Sequence, residues 1–337
     1  MKFEEIGEFK FIEKIKRHIL TYRKNNILKG IDDDCSVFKV PGAKKLNVIT
    51  TDALIENVHF IRDKISPEDL GYKSLAVNLS DISAMGATPL DVYICLCIPK
   101  DIDVDFFDRF YQGIRILLNK YNLNLLGGDT SSSKSDLFIT ITVFGEVDEQ
   151  NVIYRNGAKP GDDIFVTGNL GDSAGGLEIL LNDCSISTKD KNYLINCHNH
   201  PKLYITESEF LTKNLHPNAM IDISDGLSSD LLHITSQSKV GAIIFEEKLP
   251  ISDSLKKLST KSGTDPLSYV FNGGEDYKLL FTTPKKYSEQ TIKYYWQKFK
   301  LPLFKIGVIT KNKKVISVSQ TGDVKKILRK GWNHFKM

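Results

Sequence analysis

Aspartates stand at places in this 337-residue chain where a carboxylate has little structural use. Asp33 and Asp34 lie in GIDDDCSV at the entry to a predicted strand, and Asp52 follows Thr50 and Thr51 where the next strand should close. Asp81, in NLSD, is placed on a helix beside its apolar stripe, and Asp129 follows Gly127 and Gly128 at a strand end. Asp222 and Asp225, in IDISDGL, fall between a short apolar strand and the next helix. Each has an ordinary alternative. Asp after paired glycines is common turn chemistry, Asp225 could cap the following helix, and Asp81 could be a solvated flank residue. Together they point elsewhere, because clustered carboxylates repel unless cations neutralise them. Oxygen-only ligation by Asp, with Thr nearby, suits Mg²⁺ rather than zinc or iron. Mg²⁺ held by few carboxylates keeps several waters and takes phosphate readily. The chain has neither a G-x-x-x-x-G-K-[ST] loop nor a G-x-G-x-x-G that opens a helix after a strand. The glycine-rich stretch 168–176 is a weak signal alone, so a protein that handled ATP with these motifs would hold it mainly through metal ions.

The elements that must position these groups alternate. Residues 34–40 and 46–52 read as strands. Ser66-Pro67-Glu68-Asp69 then announces a helix, with a capping side chain and Pro at its first turn. Tyr72, Leu75, Leu79 and Ile82 recur at helical spacing and form its buried stripe. A strand follows at 92–98, then a helix carrying Phe107, Phe110, Ile114, Leu117 and Tyr121. Residues 123–126 read as a short strand, and 137–147 alternates as a half-buried strand should. The turn chemistry of 156–161 (NGAKPG) is the best place for a boundary, which predicts domains at 1–150 and 151–337. A strand at 163–168 and the turn at 168–176 open the second half, giving two α/β or α+β domains of similar length.

Composition narrows the class. Hydrophobic residues are 41% and charged residues 26%, as in an ordinary globular enzyme, and the net charge of +3 gives no reason to expect nucleic-acid or membrane binding. The N-terminal residues carry charge throughout, without the apolar stretch of a signal peptide. Five Cys without a regular framework suit a reduced cytoplasm. Cys197, His198 and His200 lack a second ligand pair at zinc spacing.

In order along the chain, GIDDDCSV, TTDALIENVHF, YKSLAVNLSDISAMGATP, LLGGDTS, YRNGAKPGDDIFVTGNLGDSAGGL, IDISDGLSSDL, FNGGEDYKLLF and the closing GWNHF resemble thiamine-monophosphate kinases. AVNLSDISAMGA and GGDT are shared with the wider superfamily of aminoimidazole-ribonucleotide synthetases, selenophosphate synthetases and hydrogenase-maturation proteins. The resemblance implies a two-domain fold like that of aminoimidazole-ribonucleotide synthetase. Its N-terminal mixed-sheet domain binds ATP and Mg²⁺ and dimerises through its sheet, and its C-terminal α/β domain closes the active site. It further implies that Asp34, Thr50, Thr51, Asp52, Asp81, Asp129, Asp222 and Asp225 ligate several Mg²⁺ ions, with Asp52, Asp81 and Asp222 at the centre of catalysis. By the same resemblance Tyr111, Gly128, Asp129, Arg155 and Ser224 hold ATP, and His59, Glu275 and Trp332 hold thiamine phosphate. Relatives carry Gly-Asp-Asp where this chain has Asp32-Asp33-Asp34, which leaves Asp33 and Asp34 as competing metal ligands.

The implied reaction is in-line phosphoryl transfer without a phosphoenzyme. Two polyanions must be brought together, and the acceptor is already mostly ionised near neutral pH, with a second phosphate pKa of about 6. Positioning and charge neutralisation then suffice. The alternatives are another ATP-dependent enzyme of the superfamily and a non-catalytic nucleotide-binding protein. No Cys precedes Cys35, where a selenophosphate synthetase needs its reactive residue, and the chain does not end in Cys as the hydrogenase-maturation relatives do.

Overall fold

The structure, a computed structural model, describes residues 3–16, 18–22, 24–182, 184–329 and 331. The first half runs α1 (Phe3–Lys16), β1 (Ile27–Lys29), β2 (Ser36–Phe38), β3 (Leu46–Ile55), α2 (Pro67–Ala84), β4 (Thr88–Ile98), α3 (Val104–Tyr121), β5 (Asn124–Ser132) and β6 (Phe138–Val147). Its strands form one sheet in the order β1-β2-β3-β6-β4-β5, antiparallel except for the β4–β5 pair. The start of α2 follows its sequence signal: Ser66 Oγ accepts from Asp69 N at 3.1 Å, with Pro67 in the first turn. Leu70, Leu75, Leu79 and Ile82 are fully buried, and Tyr72 packs at the edge of the same core.

The second half runs β7 (Asp162–Val166), α4 (Asp172–Leu181), α5 (Thr188–Asn199), α6 (Ile205–Asn214), β8 (Ala219–Asp222), α7 (Leu227–Ser238), β9 (Gly241–Phe245), α8 (Asp253–Ser262), α9 (Pro266–Asn272), β10 (Leu279–Pro284), α10 (Ser288–Phe299), β11 (Phe304–Thr310), β12 (Val315–Val318) and β13 (Val324–Lys326). These strands make a second sheet, β13-β12-β9-β11-β7-β10-β8, around its own apolar core. Helix α2 serves both halves. It packs on β3 and β6 of the first sheet, and on β8, α5 and α6 of the second half. Asp81 and Asp222 meet for that reason.

Three expectations change. Pairing with β6 carries β3 on to Ile55, and pairing with β4 carries β5 on to Ser132. Asp52 and Asp129 therefore lie inside strands rather than at their ends. The glycine-rich stretch is a turn only as far as Gly171, and Gly175 and Gly176 belong to α4. No described helix is long and apolar enough to cross a membrane.

Candidate active site

Oxygen atoms of Asp34, Asp81 and Asp222 converge to within 4.8 Å of one another, from the β1–β2 turn, α2 and the end of β8. Alternation along β3 turns Thr50 and Asp52 toward the same place. Thr50 Oγ1 donates to Asp81 Oδ2 at 2.5 Å, and the Asp52 amide donates to Asn78 Oδ1 at 3.0 Å. Ser80 Oγ donates to Asp222 Oδ2 at 2.5 Å. Geometry separates the members of the Asp32–Asp34 run. Asp33 accepts from Arg155 N at 3.1 Å and pairs with Lys29 Nζ at 2.8 Å, which leaves Asp34 for the cluster. Asp32 takes the left-handed backbone that suits glycine, with φ 100°, and pairs with Lys16.

Burial dominates the electrostatics here. It pushes Asp34 up to about 7, with Asp222 and Asp33 adding to the rise and Arg155 opposing it. Asp52, Asp222 and Asp225 are each pushed up to about 6, and Asp81 is raised well above its ordinary value, again by burial first and by neighbouring carboxylates after it. Arg155 donates to Asp34 Oδ1 through Nη2 at 2.6 Å and Nε at 3.1 Å. Burial would lower the Arg155 guanidinium, but Asp34, Asp33 and Asp81 hold it above its ordinary value. Asp34 Oδ2 and Asp222 Oδ1 are buried without a hydrogen-bond partner among the described residues. Orphaned buried carboxylate oxygens are costly, and a hard divalent cation is the ligand that such an all-oxygen set accepts. The residues fit Mg²⁺.

A second constellation adjoins the first through the β8–α7 turn. The Glu275 amide donates to Ser224 O at 2.7 Å, which fixes Glu275 at a left-handed φ of 64°. His59 lies close enough to contribute to the depression of the Glu275 carboxyl, and its Nδ1 accepts from the Ile55 amide at 3.0 Å. The chain end returns to this turn. A Cβ on Gly331 would fall 2.2 Å from Asp225 O and 2.4 Å from Ser229 Oγ. Trp332 lies outside the described residues.

Tyr111, Gly128 and Asp129 stand apart from the carboxylate cluster. With Ile94, Leu125 and Gly127 they line an open depression of about 430 Å³ along edge strand β5. Three strand spacings, roughly 14 Å, separate β5 from β3, so Asp129 does not share an ion with Asp34, Asp81 and Asp222 within one chain. A Cβ on Gly128 would lie 1.7 Å from the Ile94 carbonyl oxygen, which only glycine permits. The Thr51 hydroxyl is on the opposite face of the sheet from Asp52, donating to Ile141 O at 3.2 Å and accepting from Thr142. Side-chain ligation by Thr51 beside Thr50 is thus contrary to the strand's alternation.

Sequence reasoning passed over Asn78, Ser80 and Lys73, and weighed His198 only as a zinc ligand. Only packing singles the helix residues out: α2 buries Lys73, Ser74, Asn78 and Ser80 among its apolar residues. Cys197, His198 and His200 do not converge. His198 meets Lys73 and Ser173, while His200 stacks on Tyr72 and bonds Asp69.

Fold and site together define a class, a two-sheet protein with an acidic, polyanion-ready site between its halves. The chain matches the family models for AIR synthase related protein, N-terminal domain, over residues 32–147, and AIR synthase related protein, C-terminal domain, over 159–319. It is 42% identical to the thiamine-monophosphate kinase of Buchnera aphidicola subsp. Schizaphis graminum, over 98% of this chain and 99% of that one. It is 37% identical to the thiamine-monophosphate kinase of Aquifex aeolicus, over 99% and 100%. The solved structure of AaThiL complexed with AMPPCP and TMP superposes with a TM-score of 0.86 at 36% identity, covering 99% of each chain. The chain belongs to the thiamine-monophosphate kinase family. The resemblance read in the motifs, and the two-domain fold it implied, both hold.

Proposed function

We infer that the protein transfers the γ-phosphoryl group of ATP to thiamine phosphate, producing thiamine diphosphate and ADP. The observation that carries this reading is the adjacency of two constellations: the Asp34–Asp81–Asp222 cluster and Glu275, whose amide is bonded to Ser224 O in the turn that follows Asp222. One suits the phosphates of both substrates, the other a cationic ring. The family relatives and the AaThiL complex with AMPPCP and TMP support the pairing.

Asp34, Thr50, Asp52, Asp81, Asp222 and Asp225 are the residues that would hold Mg²⁺. Bound there, the ions supply charge neutralisation for two polyanions and their transferring group. The chain's own part is positional. Arg155 has a guanidinium fork matched to phosphate oxygens, and Tyr111, Gly128, Asp129 and Ser224 offer the nucleotide a ring, an uncluttered backbone and hydrogen-bonding oxygens. Glu275, His59 and Trp332 are assigned to thiamine phosphate. The ionised acceptor oxygen needs no general base, so orientation and exclusion of water complete the requirement. The division between ATP-binding and closing domains falls near residue 150. A second copy of the chain covers the sheet face opposite α2, where Tyr93 and Cys95 are exposed and β5 is an open edge.

The test is turnover. Incubation with ATP, Mg²⁺ and thiamine phosphate should yield thiamine diphosphate, with none when Mg²⁺ is chelated and far less product from free thiamine. Robust phosphorylation of free thiamine would overturn the mechanism, because a neutral hydroxyl requires a base that this reading omits.

A further inference from the structure

Lys73 is wholly buried, yet it carries an ammonium group in the middle of α2. Its Nζ lies 2.9 Å from Glu275 Oε2 and 3.1 Å from His198 Nε2, partners 202 and 125 residues away in the other half of the chain. His198 Nδ1 lies 3.0 Å from Ser173 Oγ and 3.3 Å from the same Glu275 oxygen. Burial first, then Lys73, hold His198 down at about 4, so the ring is neutral near pH 7. A neutral ring that accepts from Lys73 at Nε2 carries its proton on Nδ1. Lys73 therefore donates to both His198 and Glu275, and His198 Nδ1 donates to Ser173 Oγ with Glu275 Oε2 close by.

The consequence lies in which oxygen is used. Both contacts engage Oε2, and no hydrogen bond to Oε1 is made among the described residues. The Glu275 side chain remains 26% exposed while the Lys73 side chain is fully buried, so a ligand arriving from solvent reaches Glu275 and not Lys73. The backbone is fixed as well, by the bond from the Glu275 amide to Ser224 O. We propose that Lys73 is a positioning residue for substrate recognition, anchoring Oε2 of Glu275 so that Oε1 is presented to the cationic ring system of thiamine phosphate. This rests on the assignment of Glu275 to that substrate. Ion pairing also keeps the carboxyl charged: burial would raise it, but Lys73 above all holds it below its ordinary value.

The test is a double-mutant cycle on the full chain with Lys73→Met, Glu275→Gln and the double variant. It reads kcat, the KM for thiamine phosphate, the KM for ATP and the unliganded melting temperature. Lys73→Met should raise the thiamine phosphate KM by about 10-fold and leave the ATP KM within about 2-fold, the pattern of lost ground-state binding to one substrate. The double variant should bind thiamine phosphate no worse than Glu275→Gln alone, because Lys73 acts only through that carboxylate. A lower melting temperature with an unchanged KM ratio would make Lys73 a domain tie and overturn the proposal, as would additive KM effects in the double variant. An unaltered thiamine phosphate KM in Glu275→Gln would remove the Glu275 assignment itself, and the role of Lys73 with it. If Lys73→Met strands a buried charge and does not fold, the double variant restores neutrality. Its KM must then equal that of Glu275→Gln, and a higher value refutes the inference.

Discussion

Replacing Asp222 by Asn should move activity and stability in opposite directions. The side chain keeps its shape, and Ser80 Oγ, 2.5 Å from Oδ2, can still donate to an amide oxygen. What disappears is a charge, on a residue only 1% exposed and facing Asp34 and Asp81 within 4.8 Å. Burial lifts the Asp222 carboxyl from an ordinary 3.8 to about 6. A rise of roughly two units means that keeping the group ionised costs the unliganded fold about 3 kcal/mol, at 1.36 kcal/mol per unit. The sign follows from proton linkage. A raised acid favours the folded state at low pH, and that advantage is lost as pH climbs through the folded value. The stability gap between variant and wild type should therefore open between about pH 4 and pH 6 and stay level above. At pH 8, with chelator present, Asp222→Asn should melt a few degrees higher than wild type. Turnover should fall by at least ~100-fold, the scale of losing one preorganised electrostatic contact. Thermal melts across pH and a steady-state assay on the same preparations measure both. A variant that loses activity and melts lower has lost structure, and one that keeps near-normal turnover removes Asp222 from the reaction; either result refutes the reasoning.

Gly128→Ala should destabilise the fold by several degrees and weaken ATP binding, because its Cβ would sit 1.7 Å from a backbone oxygen at φ 155°. Gly127→Ala meets only the Tyr93 ring at 3.6 Å and should melt within about a degree of wild type, so equal losses in the pair would discredit the close-approach argument. Light scattering at micromolar concentration should report a dimer, and Tyr93→Glu on the uncovered sheet face should shift it toward monomer. A fully active wild-type monomer would contradict the second copy.

Much of the chemistry was legible in the sequence because it depends on residue type and on local signals. Carboxylates repeated at places where they have little structural use announce a cation, whatever the fold. Ser66 and Pro67 start α2 through contacts within one turn, and the apolar stripe of Leu75, Leu79 and Ile82 is set by helical period alone. The family motifs extended that reading to Glu275 and Arg155. What the sequence misplaced were the ends of β3 and β5, since a strand continues for as long as a partner pairs with it, and the partners are distant in sequence. Thr50 and Thr51 look equivalent as neighbours, yet the pleat sends their hydroxyls to opposite faces. Asp33 and Asp34 differ only because Lys29 and the Arg155 amide claim the first. Lys73 is the clearest case. A lysine among apolar helix residues gives no sign of being buried until a glutamate 202 residues later arrives to neutralise it. Charge pairing across that separation depends on how the two halves pack against α2, and only the tertiary structure decides that.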